Sequence, residues 1–206
     1  MSEPSAVADG VEEVVPGVVR WHVADERIGG FESDAHAVRG LEGYVLIDPL
    51  PLDELAFLAL GKMGAICLTA ACHQRAAWRY RRMRGLEVWA PEGSRSMDEG
   101  PDQRYGDGDR LPAGLRAIRT PGPEEAHYCF LLERDPGVLF CSDLLMHLPD
   151  GLAFVPAEHH EDPGATRASV ERLLDLDFSV ICFDHGPPIR DDPKGALRDL
   201  LARTAA

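Results

Sequence analysis

Apolar and polar positions fall in short blocks along the chain, and the length and borders of each block assign it. Residues 18–23 and 44–47 are rich in β-branched and aromatic side chains and are bounded by turn formers, so they read as strands. Asp48-Pro-Leu-Pro ends the second one, because proline has no N–H to give to a ladder. Residues 53–60 put Leu55, Leu58 and Ala59 on one helical face, with Gly61 as the stop. A continuous apolar run at 65–69 predicts a further strand. In 74–84, Ala76, Tyr80 and Met83 recur at helical spacing and Gly85 supplies the C-terminal cap. Residues 87–90 form another strand.

The second half opens on the turn signal Gly106-Asp-Gly-Asp. Strands are predicted at 115–120, 127–133 and 138–142, the last two joined by a hairpin at Asp135-Pro-Gly. Asp162 is a good N-cap with Pro163 at the first helical position, and Val170, Leu173 and Leu174 form the inward stripe. Residues 179–183 are a buried strand, and Asp192-Pro193 opens a last helix carrying Leu197, Leu200 and Leu201. Strands with interleaved helices, then hairpins, then helix–strand–helix predict an α/β (α+β) sandwich with sheets inside and helices outside. Residues 1–12 are expected to be a flexible tail and 13–206 a single domain.

Composition narrows the partners. The 206 residues carry 35 acids against 21 Lys and Arg, a formal charge of −14. That excess disfavours sequence-independent binding to nucleic acid or to an anionic membrane, and neither is expected as a partner. No run reaches the roughly 18 apolar residues of a membrane span, and the acidic start is not that of a signal peptide. Lys62 and Lys194 are the only lysines; every other basic charge is the planar fork of arginine, suited to carboxylate or phosphate. Five cysteines, at 67, 72, 129, 141 and 182, match no disulfide framework, so a cytoplasmic protein with free thiols is expected. A homo-oligomer is left open.

Ligands of α/β sheets sit at the carboxyl ends of strands. Four loops there carry polar residues: Ala70-Ala-Cys-His-Gln-Arg, Pro121-Gly-Pro-Glu-Glu, Asp143-Leu-Leu-Met-His and Asp184-His-Gly-Pro-Pro. Through these loops and the strands that precede them, the chain resembles the metallo-β-lactamase fold superfamily. Tyr44-Val-Leu-Ile-Asp looks like the family's early strand ending in aspartate. Leu68-Thr-Ala-Ala-Cys-His-Gln-Arg stands in the place of Thr-His-x-His-x-Asp-His. Arg119-Thr-Pro-Gly-Pro is similar to the Thr-Pro-Gly-His turn, Leu139-Phe-Cys-Ser-Asp-Leu-Leu to the Leu-Phe-Thr-Gly-Asp-Leu strand, and Phe183-Asp-His-Gly-Pro-Pro to the closing Gly-His-Gly. The resemblance implies a four-layer αβ/βα sandwich of two mixed sheets flanked by helices.

It also implies a site built for two metal ions, zinc or iron, that share a carboxylate and activate a water. Carried over by position, the first histidine falls on Ala70 and the second on Cys72. The aspartate falls on Gln74, the next histidine on Arg75 and the turn histidine on Pro123. The bridging aspartate is kept as Asp143 and the last histidine as His185. His73 is out of register by one and is not an inherited ligand. A dinuclear centre is not expected. Either no cofactor is bound, or one zinc, iron or manganese ion sits on Cys72, Asp143 and His185. In the metal-free reading Arg75 pairs with Asp143 as the substitute cation.

Three functions compete. The preferred one is a divergent or inactive hydrolase relative whose cleft at Cys72, Arg75, Asp143 and His185, with His147 in reach, binds a small anionic molecule. The others are a mononuclear metal-dependent hydrolase of an ester, thioester or lactone, and a non-catalytic scaffold subunit. A Cys72–His73 nucleophile pair is not expected, since sequence neighbours seldom meet.

Overall fold

The computed structural model describes residues 3–204. Seven strands run in chain order across the first sheet: β1 (Glu12–Val15), β2 (Val18–Ala24), β3 (Glu32–Arg39), β4 (Tyr44–Ile47), β5 (Met63–Cys67), β6 (Glu87–Pro91) and β7 (Gln103–Tyr105). β1 to β4 pair antiparallel and β4 to β7 parallel, so the sheet is mixed. Parallel neighbours need a crossover. Helices α1 (Glu54–Leu60) and α2 (Ala77–Arg84) supply it between β4 and β5 and between β5 and β6.

The second half gives β8 (Leu115–Arg119), β9 (Tyr128–Leu132) and β10 (Val138–Phe140), a hairpin of β11 (Leu145–Leu148) and β12 (Gly151–Phe154), helix α3 (Pro163–Leu173), β13 (Val180–Cys182) and helix α4 (Pro193–Arg203). The second sheet has the order β13-β10-β9-β8, with β13 parallel to β10.

The period of two along each strand sorts side chains into separate cores. Val45 and Ile47 of β4, Phe130 of β9, Phe140 of β10 and Cys182 of β13 meet between the sheets. Leu46 and Ile66 face the other way, onto Phe57 of α1 and Trp78 and Tyr80 of α2. Leu131, Leu139 and Ile181 pack under Val170 and Leu173 of α3 and Leu197 and Leu200 of α4. Three cores thus separate four layers, helices–sheet–sheet–helices, as the resemblance implied. Among the described residues no helix is long and apolar enough to cross a membrane.

The helix borders are set by caps: the carboxylates of Asp53, Asp162 and Asp192 accept N–H groups of Leu55, Ala165 and Gly195. Two inward faces differ from expectation. In α1, Leu55 and Leu58 are exposed and Phe57 is buried, stacked 4.8 Å from Tyr80. Met83 of α2 is likewise exposed. Strands β1, β3, β7, β11 and β12 stand where the apolar pattern marks none. β3 lacks a β-branched run and carries buried Ser33, Asp34 and His36 instead. Within the expected tail, Ser5 and Ala6 donate N–H bonds to Asp25, and Ala8 bridges to Leu52.

Candidate functional site

Four strand ends meet at one edge of the sandwich. β4 ends in Asp48, β5 runs into Thr69 and a short helical turn at Ala71–Gln74, β10 is followed by Ser142 and Asp143, and β13 by Asp184 and His185. Three of the six non-glycine residues with positive φ among the described residues lie here: Asp48 (46°), Arg75 (33°) and Ser142 (52°). Such backbone persists only where surrounding contacts over-determine it.

The centre of the site is His73, which is buried. Its Nε2 lies 2.8 Å from Oδ2 of Asp143. Its Nδ1 lies 3.1 Å from Oδ2 of Asp48 and 3.2 Å from Oδ2 of Asp184. The hydroxyls of Thr69 and Ser142 stand 3.0 and 3.2 Å from the same nitrogen. Asp48 is itself held, accepting the Thr69 N–H at 2.8 Å and its hydroxyl at 2.5 Å. Burial alone would lower the His73 pKa, but carboxylates, Asp143 foremost, outweigh it and hold the imidazole well above its usual value. In return, burial would raise Asp143, and His73 and His185 hold it well below the carboxylate range.

Arg75 brings a permanent positive charge. It is 4 % exposed, its Nη2 lies 3.2 Å from Oδ2 of Asp184, and its Nη1 donates to the carbonyls of Asp34 and Asp48. The expected pair with Asp143 is therefore not the one formed: the φ of 33° turns Arg75 toward β13, and His73 takes Asp143. Burial pushes Asp184 up to about 7, against the attraction of Arg75 and His73.

The remaining candidates divide. His185 donates from Nδ1 to the Glu32 carbonyl (2.9 Å) and points Nε2 at Oδ1 of Asp143, 3.5 Å away. His147 donates from Nδ1 to the Pro187 carbonyl at 2.7 Å. Both line a groove of about 440 Å³ with Phe31, Met146, Leu148 and Pro149. Cys72 is half-buried; burial pushes its thiol up, with His73 opposing. Donor atoms of Cys72, His73 and Asp143 lie within 4.8 Å of one another, so these sequence neighbours do converge. Gln74 turns away, accepting from Trp78 Nε1 at 2.6 Å and from the Asp98 N–H at 2.8 Å. His127, buried and pushed down to about 4 by burial, bonds to Thr120 as a structural group. Arg79 and Arg82 pair with Glu3 and Glu99 on the outer face of α2.

Sequence reasoning missed the role of His73, and of Asp48 and Asp184 as its partners. The available signal was a histidine in a strand-end loop beside two strand-final aspartates. A loop of inherited geometry would have aimed it elsewhere.

The family model described as the metallo-beta-lactamase superfamily matches residues 15–203. An atrochrysone carboxyl ACP thioesterase from Claviceps purpurea (strain 20.1) is 34% identical over 90 residues, 44% of this chain and 26% of that protein. The match thus spans about a quarter of that relative's length. The DIM-1 metallo-beta-lactamase superposes with a TM-score of 0.77 at 13% identity, over 98% of this chain and 99% of that one. TTHA1623, solved in a di-iron-bound form, gives 0.62 at 27% identity, over 89% and 98%.

Proposed function

This chain belongs to the metallo-beta-lactamase superfamily, and we propose that it is a divergent, non-hydrolytic relative that binds a small anionic ligand without a dinuclear metal centre. One observation carries the reading: His73 fills the space among the carboxylates, 2.8 Å from Asp143 and 3.1 Å from Asp48. A metal pair in that place needs imidazole, carboxylate or thiolate donors at about 2.0–2.3 Å, with lone pairs free. Here Ala70 and Pro123 offer no donor, Gln74 is engaged elsewhere, and Arg75 brings a fixed positive charge. The residues present do not fit a dinuclear centre, and no step is routed through one.

Arg75 is enclosed, so the ligand contacts fall to the groove lined by His147 and His185. The Nδ1 of both His147 and His185 is tied to backbone, which fixes the rings and leaves the Nε2 edge of His147 to a ligand. Burial would lower the His185 pKa, but the nearby Asp143 carboxylate outweighs it and favours the protonated form. Phe31, Met146 and Pro149 form an apolar wall beside these imidazoles. The groove suits a compact molecule with an apolar part and one carboxylate or phosphate. The five free thiols support the reading of a reducing compartment, the cytoplasm.

The test is a thermal-shift panel of small carboxylates and phosphates on protein purified without chelator, with metal content measured alongside. A shift in the parent that is lost in His147→Gln and Phe31→Ala supports the reading. Near-stoichiometric metal with chelator-sensitive hydrolysis overturns it. A second reading, a mononuclear metal-dependent hydrolase, is favoured by the convergence of Cys72, His73 and Asp143; it requires that the metal be lost in Cys72→Ala.

A further inference from the structure

The strands that carry the cleft at their carboxyl ends border a second groove at their opposite ends. It holds about 730 Å³, within the usual size of small-molecule sites. It is lined by the start of β4 and β5 (Val45, Gly64, Ala65), by the β3–β4 turn and by the short helical turn Pro112–Gly114. Leu41, in that β3–β4 turn, also lines it and is fully exposed, so a large apolar side chain at the groove has no protein partner. Two guanidinium groups, Arg39 and Arg134, complete the lining. Among the described residues neither has a carboxylate within ion-pair distance, although the chain carries a formal charge of −14. We propose that this groove is a second ligand site, for a monocarboxylate on an apolar body, with the carboxylate at Arg39 and Arg134 and the apolar body along Val45, Ala65, Ala113 and Leu41.

The charges are arranged for one anionic group. Arg39 and Arg134 pack together over Gly17, where a Cβ would lie 3.3 Å from Cβ of Arg39 and 3.2 Å from Nη2 of Arg134. Arg134 is already anchored, donating from Nη1 to the Arg39 carbonyl at 2.6 Å and from Nη2 to the Gly17 carbonyl at 3.3 Å. An anchored guanidinium loses little freedom on binding, and its planar fork matches a carboxylate. The acids of the groove stand apart from this end. Glu42 lies 3.3 Å from Nζ of Lys62, and Glu87 opens β6, three strands across from Arg39 on β3, or about 14 Å at the usual strand spacing. A polyanion long enough to fill the groove would meet Glu87, whereas a single carboxylate at the β3 end would not. Space for the apolar body is open at Gly64, where a Cβ would meet nothing nearer than Glu42 at 3.7 Å. This inference goes beyond the reading of the cleft and does not rest on it.

The test titrates the full chain with octanoate and follows backbone amide NMR signals. Butyrate, which lacks most of the apolar body, and octan-1-ol, which lacks the charge, are the comparison probes. Saturable shifts are expected at residues 39–45, 64–65, 113–114 and 134, with octanoate binding at least about fivefold tighter than either comparison probe. The double variant Arg39→Gln, Arg134→Gln should weaken octanoate about fivefold, the scale of two exposed ion pairs, and leave octan-1-ol unchanged. Gly64→Leu has room to fold and should abolish octanoate binding by filling the groove. Three results overturn the proposal: no saturable shift, shifts confined to the groove of His147 and His185, or undiminished octanoate binding in the arginine double variant. Where that variant does not fold, Gly64→Leu decides, and undiminished binding in it overturns the proposal. Failure of the thermal-shift panel at His147 and Phe31 would remove the reading of the cleft and leave these outcomes unchanged.

Discussion

His73 meets Asp143 at 2.8 Å across the gap between the two sheets, on the loop whose neighbouring residue, Cys72, holds the position aligned with a metal-binding histidine. The contact reverses the usual logic of the superfamily's cleft. There the strand-end carboxylates are left with lone pairs for metal. Here Asp143 has one oxygen taken up by His73, while the other, 3.5 Å from Nε2 of His185, is buried without a hydrogen-bond partner.

Arg75 acts through the shape of its fork as well as its charge. One guanidinium reaches Asp184 and two carbonyls from β3 and β4 at once. A lysine ammonium keeps the charge but cannot span three acceptors in those directions. Arg75→Lys is therefore expected to lower stability by about 2 kcal/mol, the scale of one or two buried charge-assisted hydrogen bonds. Urea unfolding measures it. A variant as stable as the parent would show that charge alone is needed.

Gly186 sets the spacing of the two groove histidines. The His147 N–H donates to the His185 carbonyl at 2.8 Å, and a Cβ on Gly186 would lie 1.9 Å from the His147 carbonyl oxygen. With φ at +106°, alanine there meets both backbone strain and a clash. Gly61, with φ at +92° and nothing near its absent Cβ, is the control. Gly61→Ala should cost about 1–3 kcal/mol, the cost of a backbone conformation that only glycine adopts freely. Gly186→Ala should cost clearly more and also abolish any ligand-induced shift in Tm. Equal losses in the two variants would remove the close-approach argument.

What could be read from the chain and what could not divide on local against relayed information. The caps Asp162 and Asp192, the left-handed Gly85 and the buried stripe of Leu197, Leu200 and Leu201 are local, and each stands where the pattern put it. The unpredicted strand β3 is held by neighbours on both sides, so its polar residues Ser33, Asp34 and His36 are buried without an apolar pattern to announce them. His73 failed for a related reason. It lies in the short helical turn at Ala71–Gln74 and is held by Asp48 and Asp143, which come from other strand ends. No single stretch of sequence carries that information.

Cys72 tests the electrostatics at the mouth of the site. It is the one cysteine of the five that is not fully buried. Burial raises its thiol pKa and His73 only partly offsets this, so the thiolate is scarce at neutral pH. Alkylation with iodoacetamide in the native state should label Cys72 before the other four, yet at least about tenfold more slowly than a free thiol with the reference pKa near 8.5. Rapid labelling would indicate a thiolate paired with His73 and would revive it as a nucleophile.

Acid should unfold this protein through histidines that are buried neutral. His36 is buried, with its ring 5.3 Å from that of Phe140, and burial together with the nearby Arg20 pushes it down to about 3. His127 is pushed down to about 4, again chiefly by burial. In the unfolded chain both titrate near 6.5. Between pH about 6.5 and 4 the unfolded state therefore binds more protons at these sites. Their contribution to stability is complete above 6.5 and is lost as pH falls toward 4 and then 3. Asp184 works in the opposite sense: raised to about 7, it takes up a proton in the folded state before the unfolded one and so favours folding as pH drops over the same range. His73, raised above its usual value, is protonated in both states below 6.5 and adds no slope there. His160 is also lowered by burial and Asp34 also raised by it, so three histidines stand against two carboxyls and leave a net loss of about one proton's worth, up to roughly 1.4 kcal/mol per pH unit. His127→Gln removes one of the three histidines while keeping a polar group beside Thr120. Urea titrations at several pH values between 6.5 and 4 should give the variant a visibly flatter pH dependence than the parent. Parallel curves would mean that His127 is protonated in the folded protein and that its burial is compensated by a charge.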